Sequence, residues 1–88
     1  MQEAIGQYQR LLEDRTRVLG PDHPATLTTR SALAHWLGRA GQVQEAAGQF
    51  ERLLEDRTRV LGPDHPETLR TRSNLAYWRE MLNHRRSN

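Results

Sequence analysis

The chain contains no cysteine and no lysine. Without cysteine there are no disulfide staples and no thiolate zinc sites, and the composition suits a reducing cytoplasm. All thirteen basic residues are arginine, which excludes a Schiff-base lysine and a phosphate-loop lysine. No stretch of roughly 18 apolar residues occurs, so no transmembrane helix is expected. The opening MQEAIGQYQR carries no apolar signal core. Apolar residues make up only 35% of the 88 positions. A chain this short buries about 60% of its unfolded surface, so its core must come from apolar residues focused on helix faces. The net charge is +2, and acids alternate with arginines. That pattern reads as solvated helix faces rather than a basic stripe for nucleic acid.

What the chain does have is a repeat. Residues 2–36 return at 44–78 with 28 of 35 positions identical, an offset of 42. The longest unbroken match is Arg10 to Pro24 against Arg52 to Pro66. Repetition at this period marks a modular array rather than a globule with one catalytic centre. Met1 falls inside a repeat unit, so the chain reads as a piece of a longer array.

Each unit has helical spacing. Ala4, Ile5, Tyr8, Leu11 and Leu12 form one stripe at i, i+4, i+7 and i+8, and Ala46, Phe50, Leu53 and Leu54 form its copy. Arg10–Asp14 and Glu13–Arg17 are opposite charges at i,i+4 on the wet side. Gly20-Pro21 and Gly62-Pro63 stop these helices. The following Asp-His-Pro starts another helix: Asp22 or Asp64 supplies the cap oxygen, proline sits in the first turn, and Asp64-x-x-Glu67 resembles a capping box. The expected helices span about 3–19, 24–40, 43–61 and 66–83, with a tail at 84–88. Connections of two to five residues make them antiparallel.

These positions resemble the tetratricopeptide-type helical repeat, in the 42-residue variant found in kinesin light chains and many bacterial arrays. The matching residues are Leu33-Ala34, Leu37, Gly41, Ala46 and Phe50, the run Val60 to Pro66, and Asn74-Leu75-Ala76. The resemblance covers residues 1 to about 82. It implies an all-α, right-handed α-solenoid of helix pairs in the order B-A-B-A, with a concave face lined by A helices that binds peptide segments of other proteins. Carried across, that face comprises Thr28, Ser31, His35 and Arg39 on the first A helix, and Arg70, Ser73, Asn74 and Tyr77 on the second. Arg39 and Arg70 would favour an acidic peptide. The match fails after Trp78: Arg79 to Leu82 replace Leu37 to Ala40, and Asn83 stands where Gly41 was.

Other candidate chemistry has plainer readings. His23 and His65 lie beside aspartates, but their recurrence in both copies marks linker residues. The four histidines lack a metal-ligand spacing, so neither a metal nor another cofactor is expected. Trp36 and Trp78, also recurrent, read as inter-helix packing. Adjacent Glu13-Asp14 and Glu55-Asp56 diverge on a helix. No nucleophile, base and orienting group can be assembled, so no enzyme is expected.

The phase of the repeat leaves a B helix without its A partner at one end and an A helix without its B partner at the other. Ala4, Ile5, Tyr8 and Leu11 at the first end, and Leu69, Leu75, Ala76, Trp78 and Leu82 at the second, would lie uncovered. Self-association through these ends, either head to tail or by exchanging helices, is expected, because burying one large side chain stabilises by about 1.5–3 kcal/mol. The leading function is a protein-interaction scaffold. The alternative is a structural self-assembling module with no peptide ligand. A nucleic-acid binder using Arg70, Arg72, Arg79, Arg85 and Arg86 is a weaker third.

Overall fold

The computed structural model describes residues 2–87. Four helices follow one another: α1 (Gln2–Leu19), α2 (Pro24–Arg39), α3 (Val43–Leu61) and α4 (Pro66–Ser87). No strand occurs among the described residues. Each helix packs on its predecessor, α2 on α1, α3 on α2 and α4 on α3. Short connections at 20–23, 40–42 and 62–65 turn each helix back along the last. This is the all-α solenoid arrangement expected from the repeat, with α1 and α3 as B helices and α2 and α4 as A helices.

The core follows the stripes. Leu27, Leu33, Ala34 and Leu37 of α2 interleave with Val43, Ala46, Ala47, Phe50 and Leu53 of α3, and Ile5, Leu75 and Trp78 join them. Three residues expected on open end faces are therefore already covered: Ile5, Leu75 and Trp78 are buried inside the molecule. A B helix packs on the A helix that follows it, which buries Ile5, and an A helix packs on what precedes it, which buries Leu75 and Trp78. Ala4, Tyr8 and Leu82 are half-buried, and Leu11, Leu69 and Ala76 are exposed.

The turn between α2 and α3 is made by Gly41 at φ +95°. The Gly41 N–H donates to the Gly38 carbonyl at 3.0 Å and the Gln42 N–H to the Leu37 carbonyl at 2.9 Å. That pair of bonds is a Schellman motif, and it requires the left-handed backbone that glycine accepts. In α4 the equivalent residue is Asn83, and the helix does not turn. It runs on to Ser87, through most of the segment expected as a tail; Asn88 lies outside the described residues. A guanidinium Nη of Arg85 on this extension donates to the Gly41 carbonyl at 2.9 Å, tying α4 to the α2–α3 turn.

The helix starts also differ from expectation. The cap is the histidine, not the aspartate. His23 Nδ1 accepts from the Ala25 N–H at 3.0 Å, and His65 Nδ1 accepts from the Glu67 N–H at 3.0 Å. An imidazole one residue before proline reaches the second helical N–H, which leaves the aspartate outside the helix. Asp22 instead accepts two hydrogen bonds from Arg59, at 2.9 and 3.1 Å. Glu67 does not close a capping box; its carboxylate pairs with Arg70. On α1, Arg17 pairs with Asp14 at 3.0 Å, one residue nearer than the expected Glu13 partner.

Candidate peptide-binding groove

One chemical device occurs in both repeats. Arg15 on α1 donates to Thr29 Oγ1 at 2.9 Å and to the Ala25 carbonyl at 3.2 Å on α2. Its counterpart Arg57 on α3 donates to Thr71 Oγ1 on α4 at 2.8 Å. Each threonine hydroxyl in turn donates to a carbonyl one helical turn back, Ala25 for Thr29 and Glu67 for Thr71. The B helix thus holds the A helix by a polar rung as well as by apolar packing. The rungs differ in setting: Arg15 is half-buried, while Arg57 is 3% exposed.

Arg57 lies where the A helices face each other. Thr28, Ser31, Ala32, His35 and Trp36 of α2, Arg57 of α3, and Glu67, Arg70 and Asn74 of α4 line an open groove of about 350 Å³. A smaller hollow of about 160 Å³ shares Thr28, Arg57 and Glu67 with it and continues toward Pro24, Leu27, Leu61 and His65. Five of the eight residues expected to bind peptide therefore meet around one groove: Thr28, Ser31, His35, Arg70 and Asn74. Arg39, Ser73 and Tyr77 do not line it. Ser73 is exposed, Arg39 is exposed in the last turn of α2, and Tyr77 stands edge-on to Trp78 with ring centroids 4.8 Å apart.

Four groove residues were not singled out as binding residues by the sequence: Ala32, Trp36, Arg57 and Glu67. The two tryptophans divide in role. Trp78 is buried against Gly38, as packing, whereas Trp36 is half-buried, stands edge-on to His35 at 5.5 Å and lines the groove. Arg57 carried one legible signal, since Arg15 and Thr29 recur together at an offset of 42. Its depth depends on α2 and α4 closing around it.

The groove is electrostatically uneven. Burial pulls the Arg57 guanidinium below its ordinary pKa, the Glu67 carboxylate works against that, and the like charges of Arg30 and Arg70 add to it. Arg57 Nη2 lies 3.7 Å from the Glu67 carboxylate. Arg57 Nε is buried and has no hydrogen-bond partner. A buried donor left unmade costs about 1–3 kcal/mol, so this guanidinium is held by its fold and incompletely satisfied. Among the described residues no three histidine, aspartate or glutamate side chains converge as a metal group. No helix there is long and apolar enough to cross a membrane.

The family model described as the tetratricopeptide repeat matches residues 1–59 and again 39–87. The chain belongs to the tetratricopeptide repeat family. Tetratricopeptide repeats form non-catalytic scaffolds that mediate protein–protein interaction. The two overlapping matches span both helix pairs of this tetratricopeptide chain, so its groove and its polar rungs both lie within the repeats. Among curated proteins, none matches the chain.

Proposed function

We propose that the α2–α4 groove binds an extended acidic peptide segment of a partner protein. The observation that carries this reading is Arg57. Its guanidinium is buried with an unpartnered Nε, and its side chain lines the groove together with Arg70, Asn74, Thr28 and Ser31. A carboxylate can accept from Arg70, whose guanidinium is exposed and pairs with the Glu67 carboxylate at the groove edge. It can also compensate the positive charge that Glu67 neutralises only in part. Hydrogen bonds to charged groups contribute about 1.5–3 kcal/mol each. The hydroxyls of Thr28 and Ser31 and the Asn74 amide offer both donors and acceptors, which suits the alternating groups of an extended backbone.

The test is direct titration with labelled peptides. One is a glutamate-rich decapeptide and the other its glutamine counterpart, each added to the full chain and to Arg70→Ala and Asn74→Ala. The acidic peptide should bind more tightly, and Arg70→Ala should lower its affinity about tenfold or more. Equal affinity for the two peptides, or binding indifferent to Arg70, overturns the reading.

A further inference from the structure

The two helix pairs are so nearly identical that each side of their internal junction has an unused duplicate on the outside of the molecule. Residues on α2 that the second repeat covers can be compared with their α4 counterparts, which no helix of this structure covers in the same way. Leu27 is 1% exposed and its counterpart Leu69 is 43% exposed. Ala34 is buried and Ala76 is exposed. On the other side, Leu53 of α3 is fully buried, while its α1 counterpart Leu11 is 37% exposed.

The polar part of the junction is duplicated as well. Inside the molecule Arg30 donates to Asp56 at 2.7 Å, and Arg59 clasps Asp22 at 2.9 and 3.1 Å. The counterparts of these four residues are Arg72, Asp14, Arg17 and Asp64, and all four are present. Arg72 and Asp64 lie on the α4 side and are exposed, and neither has an ion pair among the described residues. Asp14 and Arg17 lie on the α1 side and pair with each other at 3.0 Å. Asp56 and Arg59 do the same at 3.3 Å while also serving the junction. Apolar and charged groups on the two outer faces are therefore complementary in the register that the internal junction defines.

We propose that α4 of one molecule packs on α1 of a second copy, head to tail, through a duplicate of the α2–α3 junction in which Arg72 meets Asp14 and Arg17 meets Asp64. Such a contact is heterologous, so both ends of each molecule can engage at once. The duplicate is imperfect at one point. The Trp78 indole seats on Gly38, where an added Cβ would come within 2.5 Å of the ring. The residue equivalent to Gly38 in α4 is Glu80, preceded by Arg79 in place of Leu37. The Trp36 of the second copy meets a side chain where its counterpart meets none. The intermolecular junction is accordingly weaker than the internal one, and association depends on concentration.

Sedimentation of the full chain from micromolar to millimolar concentration tests this. The average mass should rise with concentration, and Arg79→Leu/Glu80→Gly should shift the rise to lower concentration. Arg72→Glu and Asp14→Arg should each shift it several-fold higher, since each places like charges across the junction. An equimolar mixture of those two variants should regain association, because every contact between unlike molecules then pairs opposite charges. A fold defect gives no such rescue. Should either variant lose helicity, Arg17→Asp with Asp64→Arg provides the same mixing test. A strict monomer for both the parent chain and Arg79→Leu/Glu80→Gly overturns the proposal. So does association unaffected by Arg72→Glu, or a mixture that fails to associate.

Discussion

Trp78 of α4 lies against Gly38 of α2 so closely that no side chain fits between them. This contact joins two A helices across the groove, since Trp78 and Asn74 share α4 and Gly38 and His35 share α2. Gly38→Ala should force the indole or the helices apart. Overpacking of this kind costs about 1–3 kcal/mol, and the better helix propensity of alanine returns only part of it. Urea unfolding should show the midpoint fall. An unchanged or higher midpoint would mean that the indole moves aside freely.

Arg57 separates stability from function. Replacing a whole buried ion pair with apolar residues is often neutral or stabilising, and removing one partner is costly only where the other is left buried and unpaired; Glu67 is partly exposed and keeps Arg70 as its partner. Arg57→Met removes the unpartnered Nε and the desolvated charge, and Thr71 keeps its bond to the Glu67 carbonyl. Thermal unfolding should therefore be unchanged or shifted upward, while affinity for the acidic peptide falls. A marked loss of stability would show that the rung to Thr71 outweighs the cost of burial.

The histidine caps make a chemical distinction that an aspartate cap would not. His65→Ala should destabilise by about 0.5–2 kcal/mol, the range for losing an N-cap acceptor, and His65→Asn should restore most of it. Asp64→Asn should have little effect on α4, because Asp64 makes no cap bond. Chemical denaturation of the three variants reads this directly. Equal losses for His65→Ala and Asp64→Asn would return the cap to the aspartate.

The clasp between repeats predicts an acid limit. The Arg59 hydrogen bonds hold the Asp22 carboxyl below the ordinary carboxylate range, and those of Arg30 and then Arg59 do the same for Asp56. Both folded values are depressed, so their contribution is fully present above the unfolded value of about 3.9 and is lost as pH falls through the lower folded values. The melting temperature contributed by this clasp should be level from pH 7 to about pH 5 and fall below about pH 4. Arg59→Gln should shrink that fall, and added salt should weaken it because Arg59 and Asp22 are substantially exposed. A fall of the same size in Arg59→Gln would assign acid sensitivity elsewhere.

Helix order and type were legible because stripe, stop and proline signals agreed within each 42-residue unit. The limits of that agreement are equally physical. Asn83 replaces a glycine, and a missing stop signal does not say how far a helix continues; the Arg85 bond to Gly41 is a tertiary contact that holds the extension. Asp and His both offer an acceptor before Pro24, and only the backbone geometry of His23 places its Nδ1 on the Ala25 N–H. The groove was partly legible, because Thr28, Ser31, His35, Arg70 and Asn74 share faces set by helical period. The place of Arg57 in it was not, beyond the recurrence of the Arg15 and Thr29 pair, because Arg57 belongs to a B helix and reaches the groove only between two A helices.

By itself, then, the sequence determined local matters: four helices, their order, their polarity and the near-identity of the two units. These depend on periodicity and chain stops, which act over a few residues. The tertiary structure decided which duplicates are used. It buried Arg57 but left Arg15 half-exposed, covered Leu27 but not Leu69, and paired Asp22 but not Asp64. Identical residues differ there because burial and pairing depend on neighbours, and in a stack of repeats only the inner faces have them.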